Sequence, residues 1–242
     1  MDTKYENRKF EQGFQFVIGC DEVGRGSLAG PVVAAAVAFD LRFLIDDLRL
    51  KDIKDSKLLS PKKREELACF IKQNFQWGIG EVSADIIDRI NIHNATLLAM
   101  RKAVQNLSWA NSCELAQEGE EPQTLSRRSF VGCTPQDDAG KKFLVIDGKF
   151  VIPSVAEAME GQPKFDMEQE AVVDGDNKIF SIAAASIVAK VYRDELMSKM
   201  DKIYPQYNFA KHKGYGTLHH RNMLKSHGLC PIHRRSFCKK FI

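Results

Sequence analysis

Two neighbouring carboxylates near the start of the chain, Asp21 and Glu22, are the side chains best placed to do chemistry. They follow an apolar run, residues 14–20, in which every second residue is Phe, Ile or Cys, the period of a half-buried strand. A Gly-Arg-Gly turn at residues 24–26 comes directly after them. Most Asp-Glu pairs are solvated surface residues, but a strand end followed by glycines favours a site that attracts a divalent cation.

Two more aspartates extend this acidic set. Asp147 ends a short apolar strand, residues 142–147, and Asp176 precedes a long apolar helix. If the strands that precede Asp21 and Asp147 are parallel neighbours, these two carboxylates lie together. Asp174 is an alternative to Asp176 for the fourth position, and either aspartate could serve only in a turn.

Four carboxylates without a cluster of His or Cys favour Mg²⁺ or Mn²⁺ over zinc. Two such ions, about 3.5–4 Å apart, can activate a water and stabilise the leaving oxygen in phosphodiester hydrolysis. The sequence therefore predicts a two-metal hydrolytic site.

The C-terminal segment 203–242 differs in charge from the rest of the chain. It has eight Lys and Arg and no Asp or Glu, which leaves 27 basic and 32 acidic residues, a net charge of −5, for residues 1–202. It also has five of the six histidines, and four aromatic residues lie among its basic ones: Tyr204, Tyr207, Phe209 and Tyr215. Such a surface suggests a polyanion partner, and the alternative is a solvated basic terminus.

The composition is that of an ordinary globular protein of 242 residues, 44% of them hydrophobic and 28% charged. The first 14 residues have no apolar signal-peptide core, and no stretch reaches the ~20 apolar residues of a membrane span. We therefore expect a cytoplasmic protein, a monomer, with no membrane partner. The six cysteines are scattered without a C-x-x-C pair, which predicts free thiols and no zinc.

Alternating strand and helix patterns predict an α/β fold. Strands are expected at residues 14–20, 31–39, 76–82, 142–147 and 170–173. Ser60 and Asn94 are predicted to cap two helices, and a third helix is predicted over residues 179–204.

The domain organisation follows from composition. We interpret residues 1–13 as an N-terminal tail, 14–205 as the catalytic core and 206–242 as a basic C-terminal helical extension. Residues 108–141 are acidic and lack a clear period, so they are predicted to form an insertion in the core.

Other motif interpretations fail. The glycines at 24, 26 and 30 follow a strand as dinucleotide-binding glycines do, but their spacing is one residue too long. The segment that begins at Asp174 lacks the glycine and the final glutamate of a calcium loop. His219 and His220 have no partner at metal-ligand spacing, so a surface or phosphate-facing role is expected for them.

The chain resembles ribonuclease HII in a series of motifs that runs in order from Phe14 to Phe237. The motifs are IGCDEVGRGSLAGPVVAAAV, DSKLLSPKKREEL, INIHNATLLAM, VIDG, SIAAASIVAKVYRD, HKGYGT and IHRRSF. The resemblance implies a ribonuclease H-like fold with a mixed five-stranded sheet flanked by helices. It also implies cleavage of the RNA strand of RNA/DNA hybrids and, in duplex DNA, a cut 5′ to a single embedded ribonucleotide, with 3′-hydroxyl and 5′-phosphate products.

The same resemblance assigns the acids of the metal site, which bind Mg²⁺ or Mn²⁺ in the family: Asp21, Glu22, Asp147 and Asp176. The sequence departs from the family pattern in two ways. Asp174 stands where many relatives have a lysine, and the spacing between the third and fourth acids is longer than usual.

The other matched residues contact substrate in the family: Gly24, Arg25, Gly26, Tyr215, Lys57 and Lys190. The Gly-Arg-Gly backbone matches the motif that senses the ribose 2′-hydroxyl, the group that distinguishes RNA from DNA. The tyrosine matches the residue that stacks on the sugar after the ribonucleotide. The two lysines are candidates for phosphate contacts or for structural ion pairs.

Three alternatives stay open. Ribonuclease HIII degrades hybrids without a junction preference, and the GRG motif and the tyrosine of GYGT argue against it. Another two-metal nuclease or resolvase of the same fold would cut without needing a ribose. A nucleic-acid-binding module that has lost catalysis is disfavoured because all four acids are present.

Overall fold

A computed structural model describes residues 2–40, 52–53, 56–107, 140–154 and 164–241. The predicted insertion, 108–141, lies outside the described residues except for its last two. The helices and strands are α1 (Lys4–Glu11), β1 (Phe16–Val23), β2 (Val32–Asp40), α2 (Pro61–Asn74), β3 (Gln76–Val82), α3 (Ala84–Gln105), β4 (Lys142–Asp147), β5 (Glu168–Val172), α4 (Phe180–Ile203), α5 (Phe209–His212), α6 (Leu218–His227) and α7 (Arg235–Cys238). Short 3-10 helices lie at Ser56–Leu58, Gly175–Asn177 and Pro205–Tyr207.

The five strands form one mixed sheet in the order β3-β2-β1-β4-β5. β2 is antiparallel to both β1 and β3, whereas β4 runs parallel to β1 and β5 runs parallel to β4. The predicted α/β class and the mixed five-stranded sheet flanked by helices are confirmed. Within the described parts of the chain, no helix combines the length and the apolar composition that a membrane span needs.

β1 is longer than the sequence predicted, because its antiparallel pairing with β2 continues to Val23, opposite Val33. Asp21 and Glu22 therefore lie inside the strand and not beyond its end, which corrects the prediction. The parallel pairing of β1 with β4 stops at Cys20, opposite Ile146. The two acids still lie where that parallel pairing ends, next to the end of β4.

The sheet carries an apolar core on each face. Alternate residues of β1 and β2 face α2 and α4 on one side and α3 on the other. Small residues let the helices approach: a Cβ at Gly19 would lie 2.0 Å from the carbonyl carbon of Ser181 in α4. Likewise, a Cβ at Gly80 would lie 1.9 Å from the carbonyl oxygen of Ala99 in α3. This close packing fixes α4 against the strand that carries Asp21.

The start of α3 differs from the prediction. The helix begins at Ala84 and is interrupted at Asn91, whose φ of 67° is not helical. The Asn91 side-chain oxygen accepts the amide hydrogen of Asn94 at 3.1 Å, so Asn91 caps the second part of the helix. The prediction that Asn94 caps this helix was therefore wrong, and the cap lies three residues earlier. The residues before Asn91 are also helical.

The N-terminal segment, predicted as a tail, contains helix α1. Its Glu6 is fully buried, and one carboxylate oxygen accepts the Ser181 amide hydrogen at 2.8 Å in the first turn of α4. Amides in the first turn of a helix lack partners within the helix, and the carboxylate satisfies one of them. The polar composition of the segment hid this single buried acid, which attaches α1 to the core.

The C-terminal extension packs around a third apolar cluster that includes Leu28, Tyr207 and Phe209. The segment after the Gly-Arg-Gly turn is hydrogen-bonded to this extension, because the Leu28 amide donates to the Gly214 carbonyl at 2.8 Å. The Arg234 amide in turn donates to the Leu28 carbonyl at 2.8 Å. The extension therefore touches the N-terminal site region, although the two are about two hundred residues apart.

Candidate active site

Asp21 in β1 and Asp147 at the end of β4 both lie directly after the last parallel pair of the two strands, so the parallel arrangement brings them together, as the sequence predicted for parallel neighbours. Asp21 is only 6% exposed. Burial, followed by the charges of Glu22 and Asp147, raises the pKa of Asp21 well above its ordinary value. The structure thus concentrates negative charge here.

Glu22 has one carboxylate oxygen in an ion pair and one without a partner. Its Oε1 accepts from the Arg25 guanidinium at 3.0 Å. Its Oε2 is buried and has no hydrogen-bond partner within the described ranges. Burial raises the pKa of Glu22, although Arg25 opposes the shift. A buried carboxylate oxygen without a partner is costly unless a cation or donor comes to it.

Asp147 is oriented by the loop that follows β5. Its Oδ1 accepts the Gly175 amide hydrogen at 2.7 Å. A Cβ at residue 175 would lie 2.5 Å from the Ile182 side chain and 3.2 Å from that same carboxylate oxygen, so glycine permits the approach. Burial raises the pKa of Asp147, the Gly175 hydrogen bond opposes the shift, and the charge of Asp176 adds to it.

Asp176 lies in the 3-10 helix Gly175–Asn177 and is 3% exposed, with its Oδ2 3.1 Å from the Lys57 ammonium. Asp174, the alternative for the fourth position, is exposed and has a left-handed φ of 62°. Its carboxylate accepts a hydrogen bond from Asn177 at 3.0 Å. The buried position of Asp176 beside Asp147 favours it as the fourth acid, and Asp174 shapes the turn.

Two serines that the sequence analysis did not single out support Asp21. The Ser186 hydroxyl on α4 hydrogen-bonds the Asp21 carboxylate. The Ser56 hydroxyl lies 3.0 Å from that of Ser186, and both residues are buried. A serine in the apolar face of SIAAASIVAK was the available signal, because a buried hydroxyl needs a partner.

The donor set fits hard divalent cations. Carboxylate oxygens are the ligands that Mg²⁺ and Mn²⁺ prefer, and the pKa values of Asp21, Glu22 and Asp147 are all raised. In the part of the chain that the structure describes, no group of three or more His, Cys, Asp or Glu side chains is already arranged to coordinate a metal ion. Arg25 and Lys57 instead pair with two of the acids. A metal would therefore have to compete with these ion pairs.

The predicted lysines differ in their surroundings. Lys57 lies at the acidic cluster through its ion pair with Asp176, and its side chain is 76% exposed. Lys190 pairs with Asp194, one turn further along α4, at 2.7 Å. Lys57 is therefore within the site, whereas the ion pair of Lys190 connects it to Asp194 and to none of the four acids.

The structure brings the Gly-Arg-Gly turn and Tyr215 together. Ser27, directly after the turn, forms an isolated β-bridge with Tyr215. The Tyr215 side chain is 37% exposed, and the Arg193 guanidinium lies 5.6 Å from the centre of its ring. Gly24 has a φ of 90°, and a Cβ there would lie 2.1 Å from Arg193 Nε. Two features from opposite ends of the chain thus form one surface beside the acids.

His220 is fully buried, which corrects the prediction of a surface or phosphate-facing role. Its Nδ1 lies 2.9 Å from the Tyr215 carbonyl oxygen, and its Nε2 lies 3.0 Å from Nε2 of His233. His233 Nδ1 accepts the Cys230 amide hydrogen at 2.9 Å. Because a carbonyl only accepts and an amide only donates, this chain requires both imidazoles to be neutral. The pair holds the Tyr215 backbone.

Acid should weaken this pair. Burial is the main cause that lowers the pKa of both His220 and His233 to about 4, against about 6.5 for an unfolded histidine. The unfolded chain then binds more protons between pH 6.5 and 4, so stability falls as the pH drops through that window. We expect each histidine to lower the free energy of unfolding by about 2 kcal/mol when the pH is changed from 7 to 5.

Urea unfolding at the two pH values measures this cost. His220→Gln should show a smaller loss between pH 7 and pH 5 than the wild-type chain. The matched control is His219→Gln at the neighbouring, exposed position, which should keep the wild-type loss. An equal loss in His220→Gln and the wild-type chain would rule out the neutral pair.

Comparison with known proteins identifies the family of the chain. The family model described as ribonuclease HII matches residues 18–128 and 140–240. Ribonuclease HII of Caldanaerobacter subterraneus subsp. tengcongensis is 41% identical over 98% of this chain and 80% of its own length. Ribonuclease HII of Alkaliphilus metalliredigens is 40% identical over 98% of this chain and 97% of its own length.

A solved structure has the same fold. Ribonuclease H2 from Pyrococcus horikoshii matches with a TM-score of 0.61 at 24% identity, covering 93% of this chain and 96% of its own. The family model and the two bacterial relatives confirm the resemblance seen in the motifs. The chain belongs to the ribonuclease HII family and is a ribonuclease H, a nuclease of the hydrolase class.

Proposed function

We propose that this enzyme hydrolyses the RNA strand of RNA/DNA hybrids and cuts 5′ to single ribonucleotides embedded in duplex DNA. The products carry 3′-hydroxyl and 5′-phosphate ends. One observation carries the proposal: the acids and the ribose-sensing turn are consecutive in the chain. Asp21 and Glu22 lie in the last three residues of β1, the turn begins at Gly24, and Tyr215 is bridged to the residue after the turn.

Asp21, Glu22, Asp147 and Asp176 would hold two divalent ions, Mg²⁺ or Mn²⁺. Bound at such a site, the ions supply an activated water and a Lewis acid for the leaving oxygen. A ribonuclease HIII, "Bst-RNase HIII in complex with Mn2+", has the same fold at a TM-score of 0.59 and 18% identity. The fit rests on the carboxylates here and on the buried Glu22 Oε2, which has no partner among the described residues.

The protein side chains prepare this site in distinct ways. Ser186 and the Gly175 amide orient Asp21 and Asp147. Burial raises the pKa of Asp21, and protons compete with a cation for the same carboxylate oxygens, so metal affinity should fall as the pH drops. Lys57, held by Asp176 and largely exposed, is placed to contact a phosphate at the same edge.

The Gly-Arg-Gly turn supplies ribose recognition in this proposal. A Cβ at Gly26 would meet no described atom within 4 Å, so the described contacts leave space for a side chain there. The glycine is then explained by a ligand that approaches the backbone closely, and a ribose is such a ligand. The exposed face of the Tyr215 ring lies beside it to pack on the next sugar.

A cleavage assay on three matched duplexes tests the proposal. One duplex is DNA with a single ribonucleotide, one is a continuous RNA/DNA hybrid, and one is plain DNA. We expect the first two to be cut in Mg²⁺ or Mn²⁺ and the third to stay intact. Cleavage of the hybrid alone would favour a general hybrid nuclease, and cleavage of plain DNA would contradict ribose recognition.

The exposed lysines of the C-terminal extension should contact phosphates. Truncating the extension is not a clean test, because it would also remove buried residues such as Tyr207 and Phe209. We therefore change four exposed lysines to glutamine: Lys211, Lys225, Lys239 and Lys240. The slope of log K against log salt for hybrid binding should flatten by about 0.9 for each lost phosphate contact.

The salt dependence of binding is read from titrations at several salt concentrations. Lys4→Gln, an exposed lysine on α1, is the control and should keep the wild-type slope. An unchanged slope in the folded fourfold variant would show that these lysines are only solvated.

A further inference from the structure

Arg234 is a fully buried arginine that the motif analysis did not assign to the site. Its guanidinium donates to three backbone carbonyls: Gly24 at 2.7 Å, Arg25 at 2.8 Å and Gly30 at 3.0 Å. Two of these carbonyls belong to the Gly-Arg-Gly turn. A side chain from the C-terminal extension therefore holds the turn from inside the protein.

These bonds determine which way the amides of the turn point. In a trans peptide, the carbonyl of one residue and the N–H of the next point in opposite directions, and no peptide bond here is cis. With the Gly24 and Arg25 carbonyls turned inward to Arg234, the N–H groups of Arg25 and Gly26 point outward. Neither amide donates to an acceptor within the described ranges. Two adjacent N–H groups are thus free to bind one oxygen of a ligand.

A second buried guanidinium, that of Arg193, supports the same region. It donates to the carbonyls of Ala29, Pro31 and Lys213. Across the described parts of the chain, neither Arg193 nor Arg234 forms an ion pair with a carboxylate. Their hydrogen bonds go to backbone carbonyls, and each guanidinium also lies over an aromatic ring, that of Tyr215 for Arg193 and that of Phe237 for Arg234. Two buried cations without a carboxylate in direct contact favour an electron-rich oxygen at the outward amides.

We propose that Arg234 is a positioning residue that aims the Arg25 and Gly26 amides at the 2′-oxygen of the ribonucleotide. The inference rests on the proposed function, because it needs a ribose at the turn. It goes further by assigning the selection for ribose to a side chain from the far end of the chain. Arg235, the next residue, has the same charge but is exposed. If Arg234 acted only by attracting the phosphates of nucleic acid, Arg235 would have the same effect.

The test compares Arg234→Lys with Arg235→Lys, both in the Asp21→Asn background, which removes cleavage. Both substitutions keep the charge, and only the first removes the three-carbonyl fork. The measured quantity is the ratio of Kd for plain duplex DNA to Kd for the same duplex with one ribonucleotide. We expect Arg234→Lys to lower this ratio by roughly tenfold and Arg235→Lys to leave it unchanged.

A purely structural arginine would weaken binding to both duplexes equally, so an unchanged ratio in folded Arg234→Lys would overturn the inference. If Arg234→Lys does not fold, nitrogen-15 NMR of the Asp21→Asn protein decides. The Arg25 and Gly26 amide resonances should then shift with the ribonucleotide duplex and not with plain DNA, and no shift would overturn the inference. Failure of the wild-type enzyme to cut the embedded ribonucleotide would instead contradict the proposed function itself.

Discussion

Asp21→Asn should abolish cleavage, by about three orders of magnitude or more in kcat, while the protein stays folded. The substitution removes one ligand charge but keeps the size and one oxygen of the side chain. Burial and the charges of Glu22 and Asp147 raise the pKa of Asp21, so its ionised form destabilises the folded chain at neutral pH. That cost disappears as the pH falls below the ordinary Asp range. Without metal at pH 7, the variant should therefore match or exceed the wild-type Tm.

Metal titration separates loss of a ligand from general damage. Mn²⁺ should raise the Tm of the wild-type enzyme, because a ligand that binds only the folded state stabilises it, and should raise that of Asp21→Asn much less. Asp174→Asn, at the exposed turn position, is the control and should keep both cleavage and the metal-induced shift. Near wild-type cleavage by Asp21→Asn would contradict the assignment of the site.

Tyr215→Ala should reduce cleavage at a single embedded ribonucleotide by roughly one to two orders of magnitude, the equivalent of a stacking contact worth about 1–3 kcal/mol. Tyr215→Phe should keep most of the activity. The residue is 37% exposed, and stacking uses the face of the ring, which phenylalanine keeps. Arg193 behind the ring should keep its position in both variants.

Single-turnover rates on the embedded ribonucleotide and on a continuous hybrid measure this effect. The loss in Tyr215→Ala should be larger on the first substrate, because in the proposed function the tyrosine packs on a deoxyribose that only the junction supplies. Equal rates for Tyr215→Ala and wild type at the single ribonucleotide would remove the junction role and favour a general hybrid nuclease.

The sheet and its acids were predictable because they depend on local patterns. Apolar runs of strand period ended close to Asp21 and at Asp147. That the two strands are parallel neighbours was only a condition of the prediction, and the structure meets it. β3 and β4 have the bounds that their patterns predicted. The exact end of β1 was missed, since the pairing with β2 that extends it is not a property of the β1 sequence.

The supporting residues were not predictable in the same way. Arg193, Arg234 and His220 have polar side chains that normally indicate a surface, yet all three are buried by contacts between distant segments. Apart from the contact of His220 with the His233 side chain, their hydrogen bonds go to backbone groups, which carry no residue-specific signal in a sequence. Glu6 was missed for the same reason, because its partner is the Ser181 amide. Sequence patterns therefore predicted the candidate acids but not the residues that orient them.

The most direct measurement is to map the cut in a DNA duplex that contains one ribonucleotide, incubated with the wild-type enzyme and Mg²⁺ or Mn²⁺. The proposed function, with four acids beside a turn that recognises ribose, predicts one cut on the 5′ side of the ribonucleotide, with a 3′-hydroxyl on one fragment and a 5′-phosphate on the other. Cleavage at several positions in the flanking DNA, or no cut at the ribonucleotide, would contradict this account.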